Sequence, residues 1–353
     1  MLLDAWQEAR RALSPANQQV LSMTDCRLDV LCIGNAIVDV ISDTTDAFLD
    51  KEGLTKGSMR LIDAEEAERL YSHMGPAREI SGGSAANTAA GVAALGARAG
   101  FIGQVAPDQL GAFYKHDLTA AGVEFTTEPT DFGIPTARSM ILVTPDGHRT
   151  MNTFLGAAQH LPASALDEEQ IRSAGILYLE GYLWDPETPR YAMVRAIEVA
   201  RDAGRKVAFT LSDSFCVDRH RDGFNELIDG GRIDILFANE AEIQAMAGVA
   251  HVETAVNAFK DKVETLVVTR SEKGALATQR GERADVPAAP VAKVVDTTGA
   301  GDLFAAGFLT GQAQGRSLEE SLRLGALAAA EVISHYGARP EADLKALAGE
   351  LAA

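Results

Sequence analysis

The sequence predicts an α/β fold, a mainly parallel sheet flanked by helices, carrying a small β lid. Three observations predict it. Short unbroken runs of Val, Ile and Leu recur along the chain, and such runs mark strands buried on both faces. Longer stretches with helical spacing separate the runs, the alternation of a parallel sheet built from crossover units. Two segments, about 39–61 and about 124–154, break the rhythm with alternating residues and turn signals.

In chain order, residues 1–24 read as an N-terminal extension, helical or loose, with Met23 as an alternative start. Residues 25–353 read as one domain. "LDVLCIG" from Leu28 is the first strand, and "AGFIGQV", "GILYLEG", "KVAFTLS", "IDILFAN" and "TLVVTR" are the next. "SAANTAAGVAALGA", "PRYAMVRAIEVARDAG" and "EAEIQAMAG" have helical spacing. In "RSMILVTPDGHRTMNTF" the "PDGH" is a hairpin signal between alternating runs. Both irregular segments leave the α/β core and return to it, so they read as two parts of one lid.

Composition narrows the function. The chain has 353 residues, 46% hydrophobic and 23% charged, the profile of a globular protein. Its net charge of −18 repels a phosphate backbone, which argues against nucleic acid as a partner. No apolar run approaches the roughly 18 residues that span a membrane. The N-terminus carries acids early and has no continuous apolar stretch, so it is no secretory signal. Cys26, Cys32 and Cys216 make no CxxC pair and read as buried small hydrophobes in a reducing cytoplasm. Histidine spacing suggests no zinc site.

The chemistry concentrates in "DTTGAGDLFAAGFL", Asp296 to Leu309. A strand-like "AKVVD" runs into Thr297-Thr298-Gly299-Ala300-Gly301, and a helix should begin near Asp302. Glycines allow the sharp turn, and free N–H groups at a helix start form an anion site. An acid there cannot be the anion's ligand. It is placed to take a proton from a hydroxyl that attacks the anion. A plain first-turn Asp is the other reading of Asp302.

The match extends further than one loop. "DTTGAGDLFAAGFL" closely resembles the C-terminal signature of the PfkB, or ribokinase-like, carbohydrate kinase family. "SGGSAANTAAGVAALG" (Ser81–Gly96) resembles that family's N-terminal signature, and "NEAE" (Asn239–Glu242) its N-x-x-E motif. The elements stand in family order, and the resemblance covers nearly everything from Leu28 to Arg339. It implies a ribokinase-like fold and an ATP-dependent kinase acting on a primary hydroxyl. Asp302 matches the catalytic base, and Gly299, Ala300 and Gly301 the anion hole. Asn239 and Glu242 match the residues that organise Mg²⁺ and phosphate. Asp296 and Thr298 match positions that hold a monovalent cation, K⁺, in some members.

On the substrate side, Gly82, Gly83 and Asn87 match pocket residues, and Asn35 and Asp39 the positions that hold sugar hydroxyls. Asp39 also reads as a hinge or turn residue. Glu180 ends an apolar strand, where an acid is expensive unless it is exposed at the cleft. Phe154 reads as a stacking partner for a base, with Tyr182 or Trp184 nearby, and core or lid packing is the other reading of these aromatics. On the ATP side, Thr269 and Gly274 fit the family's T-x-G-x-x-G turn, with Ser271 in place of the middle glycine. Thr298, Gly301 and His335 complete that side, with Gly337 beside His335. "GNAIVDV", "RTMNTFLGA", "YLEGYLWD" and "AAEVISHYGARP" look most like bacterial adenosine kinases, so adenosine leads and a ribose or fructose kinase is the alternative. An inactive nucleoside or sugar sensor on the same fold is the non-enzyme alternative, against which the intact Asp302 argues. No GxxxxGK[ST] occurs, and Gly34-Asn35-Ala36-Ile37-Val38-Asp39 fails the dinucleotide fingerprint. Monomer and homodimer both fit the sequence.

Overall fold

The computed structural model describes residues 26–351; the N-terminal extension and Met23 lie outside the described residues. The chain enters strand β1 (Leu28–Ile33) and passes at once into β2 (Ile37–Asp43) of a second sheet. Helix α1 (Asp46–Glu52), strand β3 (Met59–Leu61), α2 (Ala64–His73) and β4 (Ala77–Gly82) follow. Helix α3 (Ser84–Ala94) returns the chain to the main sheet through β5 (Ala99–Ile102), α4 (Gln109–Ala120) and β6 (Val123–Phe125). A second excursion makes the hairpin β7 (Ala137–Val143) and β8 (Arg149–Phe154).

The rest stays in the core. Helix α5 (Glu168–Arg172) leads to β9 (Ala174–Glu180), then α6 (Glu187–Asp202), β10 (Lys206–Thr210), α7 (Ser214–Asp229) and β11 (Ile235–Asn239). Helices α8 (Glu240–Ala247) and α9 (Val252–Phe259) precede β12 (Thr265–Thr269), β13 (Ala275–Gln279) and β14 (Glu282–Val286). Helices α10 (Ala300–Ala313), α11 (Leu318–Val332) and α12 (Leu344–Glu350) close the described chain.

The main sheet runs β14-β13-β12-β11-β10-β9-β1-β5-β6. It is parallel from β12 to β6, and β13 and β14 add an antiparallel edge. Its strands bury both faces, as unbroken apolar runs require. Leu31, Ile33, Leu177 and Phe209 pack beneath α6 and α7. Val30, Cys32, Phe101 and Tyr178 pack beneath α3 and α10. Chain order reverses at β1, which lies between β5 and β9. Ligands bind beyond the carboxyl ends of strands at such a switch point. Small residues set the depth of the helices there: a Cβ at Gly91 of α3 would lie 2.6 Å from Leu303 Cδ1 of α10.

The second sheet runs β3-β8-β7-β2-β4, and its central β2–β7 pair joins the two excursions. Strand β4 lies outside the 39–61 segment read as β, because its "AREISG" is polar and exposed at its start and carries weak alternation. Strand β6 pairs with β5 in the main sheet, so the second excursion begins after Phe125 rather than at Glu124. "AKVVD" is not a strand: Val295 N–H reaches the carbonyl of Ile333 (2.8 Å), past the end of α11, and finds no neighbouring strand. The β13–β14 hairpin went unread in the sequence. Its turn is Arg280-Gly281, both at positive φ (48° and 88°), the geometry of a type I′ turn.

Candidate active site

Asp302 lies in the first turn of α10. The helix is preceded by Gly299 at φ 78°, which no side chain caps. A Cβ at Gly299 would lie 2.6 Å from that of Ala338, so conformation and contact both select glycine. First-turn N–H groups lack intrahelical partners and carry the positive end of the dipole. Ala300 N–H turns back to Thr297 O (3.2 Å), while Gly301 is exposed and faces open space. The Asp302 carboxylate accepts from Ser84 Oγ (2.6 Å) and Asn87 Nδ2 (2.9 Å), both on α3. Burial raises its pKa against the pull of those two bonds and of Arg339. Asn87 Oδ1 is buried without a partner and remains an acceptor for a ligand.

Asp39 stands on β2, whose residues Asp39 and Ile41 share one face with Ser139 and Ile141 of β7 and with Met151 and Thr153 of β8. Its carboxylate covers Gly82: a Cβ there would come within 2.6 Å of the Asp39 carboxyl carbon. Burial pushes Asp39 up to about 7, opposed by the charges of Arg339 and Arg149. Gly83, at φ 98°, joins β4 to α3, and a Cβ there would collide with Asn35 O.

Glu180 departs from the sequence reading. It is 1% exposed, with both carboxylate oxygens engaged. Oε1 accepts Asn35 N (2.7 Å) and Asn35 Nδ2 (2.6 Å), and Oε2 accepts Ala85 N (2.8 Å). These donors offset the cost of burying an acid, although burial still pushes Glu180 up to about 7. Glu180 and Asn35 form a clamp behind the pocket that ties the end of β1 to the start of α3. Phe154 lies on the opposite face of β8 from Asp39's row, packed with Leu49, Leu70, Met140 and Leu142. Trp184 is core against Phe224 (6.0 Å between centroids). Tyr182 remains at the cleft end of β9, its hydroxyl donating to Ser212 O (3.3 Å).

A cavity of about 90 Å³ connects Asp302 and Gly301 to Asn239, Glu242 and Thr269. Asn239 caps α8 and accepts Glu242 N–H (2.9 Å), while Glu242 accepts Asn239 N (3.0 Å) and Nδ2 (2.5 Å). Burial pushes Glu242 up to about 7. A Mg²⁺ beside this carboxylate would neutralise it, and the cavity leaves room for intervening water, the way Mg²⁺ is usually held. Among the described residues no cluster of three metal-ligating side chains occurs. Asp296 does not suit K⁺: its carboxylate accepts Thr298 N (3.1 Å), Thr298 Oγ1 (2.8 Å) and Gly337 N (3.0 Å), and Arg149 pairs with it at 2.7 Å.

On the nucleotide side, Ser271 takes φ 51° where the sequence lacks glycine, and Gly274 takes φ 87° with Val286 and Pro287 against it, so the tight turn survives. His335 is tied to Glu331 (3.2 Å) and does not line the cavity. The sequence reading also missed Ser84, Arg149 and Arg339. Ser84 and Arg339 stood inside quoted stretches and Arg149 follows the hairpin signal, but nothing local tells which groups their side chains reach.

The pfkB family carbohydrate kinase model matches residues 28–344. The chain belongs to this kinase family. It is a phosphotransferase with an alcohol acceptor, and its family uses ATP, typically with Mg²⁺. Among solved structures it is similar to a probable sugar kinase from Rhizobium etli CFN 42, with 49% identity, a TM-score of 0.86 and coverage of 93% of this chain and 99% of that one. It is also similar to adenosine kinase from Sinorhizobium meliloti, with 50% identity, a TM-score of 0.85 and coverage of 92% and 99%. Ribokinase from Haemophilus influenzae is 30% identical over 73% of this kinase and 82% of its own length.

Proposed function

We propose that this kinase transfers the γ-phosphoryl group of ATP to the primary hydroxyl of a nucleoside, adenosine foremost, giving AMP and ADP. One observation carries the nucleoside over a free sugar. The cleft face of the second sheet has a short polar row, Asp39, Ser139 and Thr153, with an apolar expanse beside it. Its open part is half-buried Met151 and the edge residues Met59 and Leu61, which are 57% and 60% exposed, backed by the buried Ile41 and Ile141. A free sugar carries hydroxyls all round, and an apolar wall would strip them of water without replacement. A nucleoside has one hydroxyl edge and a flat base that an apolar wall suits.

In this reading Asp39 accepts from the ribose hydroxyls. Asn87 and Ser84 steer the Asp302 carboxylate, which takes the proton as the acceptor oxygen attacks phosphorus. The N–H groups at the start of α10 and the Arg149 guanidinium meet charge on the phosphoryl oxygens. Mg²⁺, held through water by Asn239 and Glu242, would offset charge on the ATP phosphates. The second sheet acts as a lid that excludes water. ADP release from Mg·ATP with a panel of nucleosides and sugars tests the reading. Turnover with adenosine supports it; turnover with ribose or fructose and none with adenosine overturns the nucleoside while leaving the kinase.

A further inference from the structure

Arg339 lies past α11, far in sequence from either signature, yet its guanidinium spans the joint between the two sheets. Nη1 donates to Ala86 O (2.7 Å) in the first turn of α3. Nη2 donates to Ser81 O and to Ser81 Oγ (3.2 Å) at the end of β4. Between these anchors lie Gly82 and Gly83, the only connection from β4 to α3. The same joint is held from α4: Asp117 accepts Ser81 N (2.8 Å) and Oγ (2.7 Å), and Tyr114 donates to Gly82 O (3.0 Å). Strand β4 pairs with β2, which carries Asp39, and α3 carries the two side chains bonded to Asp302.

We propose that Arg339 is a positioning residue that fixes the angle of the β4–α3 joint, and so sets the hydroxyl grip of Asp39 against the base Asp302. The role rests on the nucleoside-kinase reading for its substrate, but not for its geometry. A guanidinium suits it because its planar fork reaches both sides of the joint at once, which an ammonium cannot do. The cation has a second effect. Asp39 faces Arg149 from β8, Asp302 from α10 and Arg339, while Arg339 itself faces Tyr114 and Asp117 from α4. Arg339 therefore helps keep Asp39 ionised.

Arg339→Met and Arg339→Lys test this in the full chain, with two readouts. The first is kcat/KM against pH with adenosine. Arg339→Met should lose roughly 10²-fold, the scale of a small misplacement, with kcat and acceptor KM both worse, KM for ATP near the wild-type value, and the acid limb moved to higher pH. Arg339→Lys keeps a cation, so its limb should stay near the wild-type position while the rate remains low. The second readout is amide exchange of residues 81–90 without ligand, which should quicken in both variants. Unchanged exchange there, or a rate loss with the Arg339→Met limb unmoved and KM for ATP raised equally, overturns the proposal. If Arg339→Met fails to fold, Arg339→Lys decides: fast exchange and a low rate with the limb in place support the role, and wild-type behaviour overturns it. If the wild type ignores adenosine, the nucleoside reading fails, and the same measurements with the sugar it does phosphorylate judge Arg339.

Discussion

Asp302 and Asp39 lie near enough for their charges to interact, and the proposed reaction needs each as a carboxylate. Asp302→Asn keeps the shape and both neighbours but removes the base. We expect folded protein whose kcat falls ~10²–10⁴-fold; near-wild-type turnover would refute the assignment. Asp39 rises to about 7 through burial. Below that pH it is protonated and loses acceptor capacity for ribose hydroxyls, so kcat/KM should fall as pH drops through about 7. In Asp39→Asn that limb should vanish at a lower overall rate, leaving only the limb of Asp302. A pH profile identical to wild type would exclude Asp39. At this scale the first-turn acid Asp302 and its glycine loop were legible because glycines and an acid at a helix start carry their own chemistry. Glu180 and Phe154 were misread because pattern gives a residue's strand and not the partners of its side chain. Arg339 stood in the quoted "AAEVISHYGARP", but its role was not legible, since its partners Ser81 and Ala86 lie 258 and 253 residues away.

At the scale of elements, the β4–α3 joint is the part with least freedom. Gly83 at φ 98° has Asn35 O where a Cβ would go, so Gly83→Ala should cost at least ~2 kcal/mol and move Asn87 off Asp302. Chemical denaturation and steady-state rates would show both losses, and an unaffected variant would mean the joint yields. The proposed closure of the second sheet makes a second prediction. Saturating nucleoside should slow amide exchange in β2, β7 and β8, whose cleft face it would cover; exchange unchanged in all three strands would argue against closure. Parallel strands were legible as unbroken apolar runs. Strand β4 was not, because an edge strand with one exposed half loses the alternation that marks β structure.

Over the whole molecule, the site's acids oppose stability. Asp39, Glu180 and Glu242 each rise to about 7, whereas unfolded Asp and Glu titrate near ~4. Between those values the folded chain holds protons that the unfolded chain has released, so stability falls as pH rises. The ligand-free protein should therefore melt higher near pH 5.5 than near pH 7.5, by calorimetry, and Glu242→Gln should flatten the slope. A melting temperature that climbs across that window would contradict the raised carboxylates. The α/β class and the gathering of both irregular segments into one β unit were legible because periodicity and turn signals report layers. The register that joins the two excursions, β2 directly beside β7, was not, because contacts between distant segments leave no local pattern.

That pairing has a consequence for how such enzymes diversify. Strands β2 and β7 lie side by side over seven registered residue pairs, yet nearly a hundred residues of chain separate them. Neither excursion can be inherited alone without placing one parent's strand face against another's. A chimaera that takes only the first insert from a relative would inherit Asp39 and Met59 but keep its own Ser139 and Met151, splitting one binding wall between two ancestries. Recombination that retargets the acceptor must carry both inserts together, and the second must keep Arg149, whose pairing with Asp296 (2.7 Å) ties it to the loop from Asp296 to Asp302.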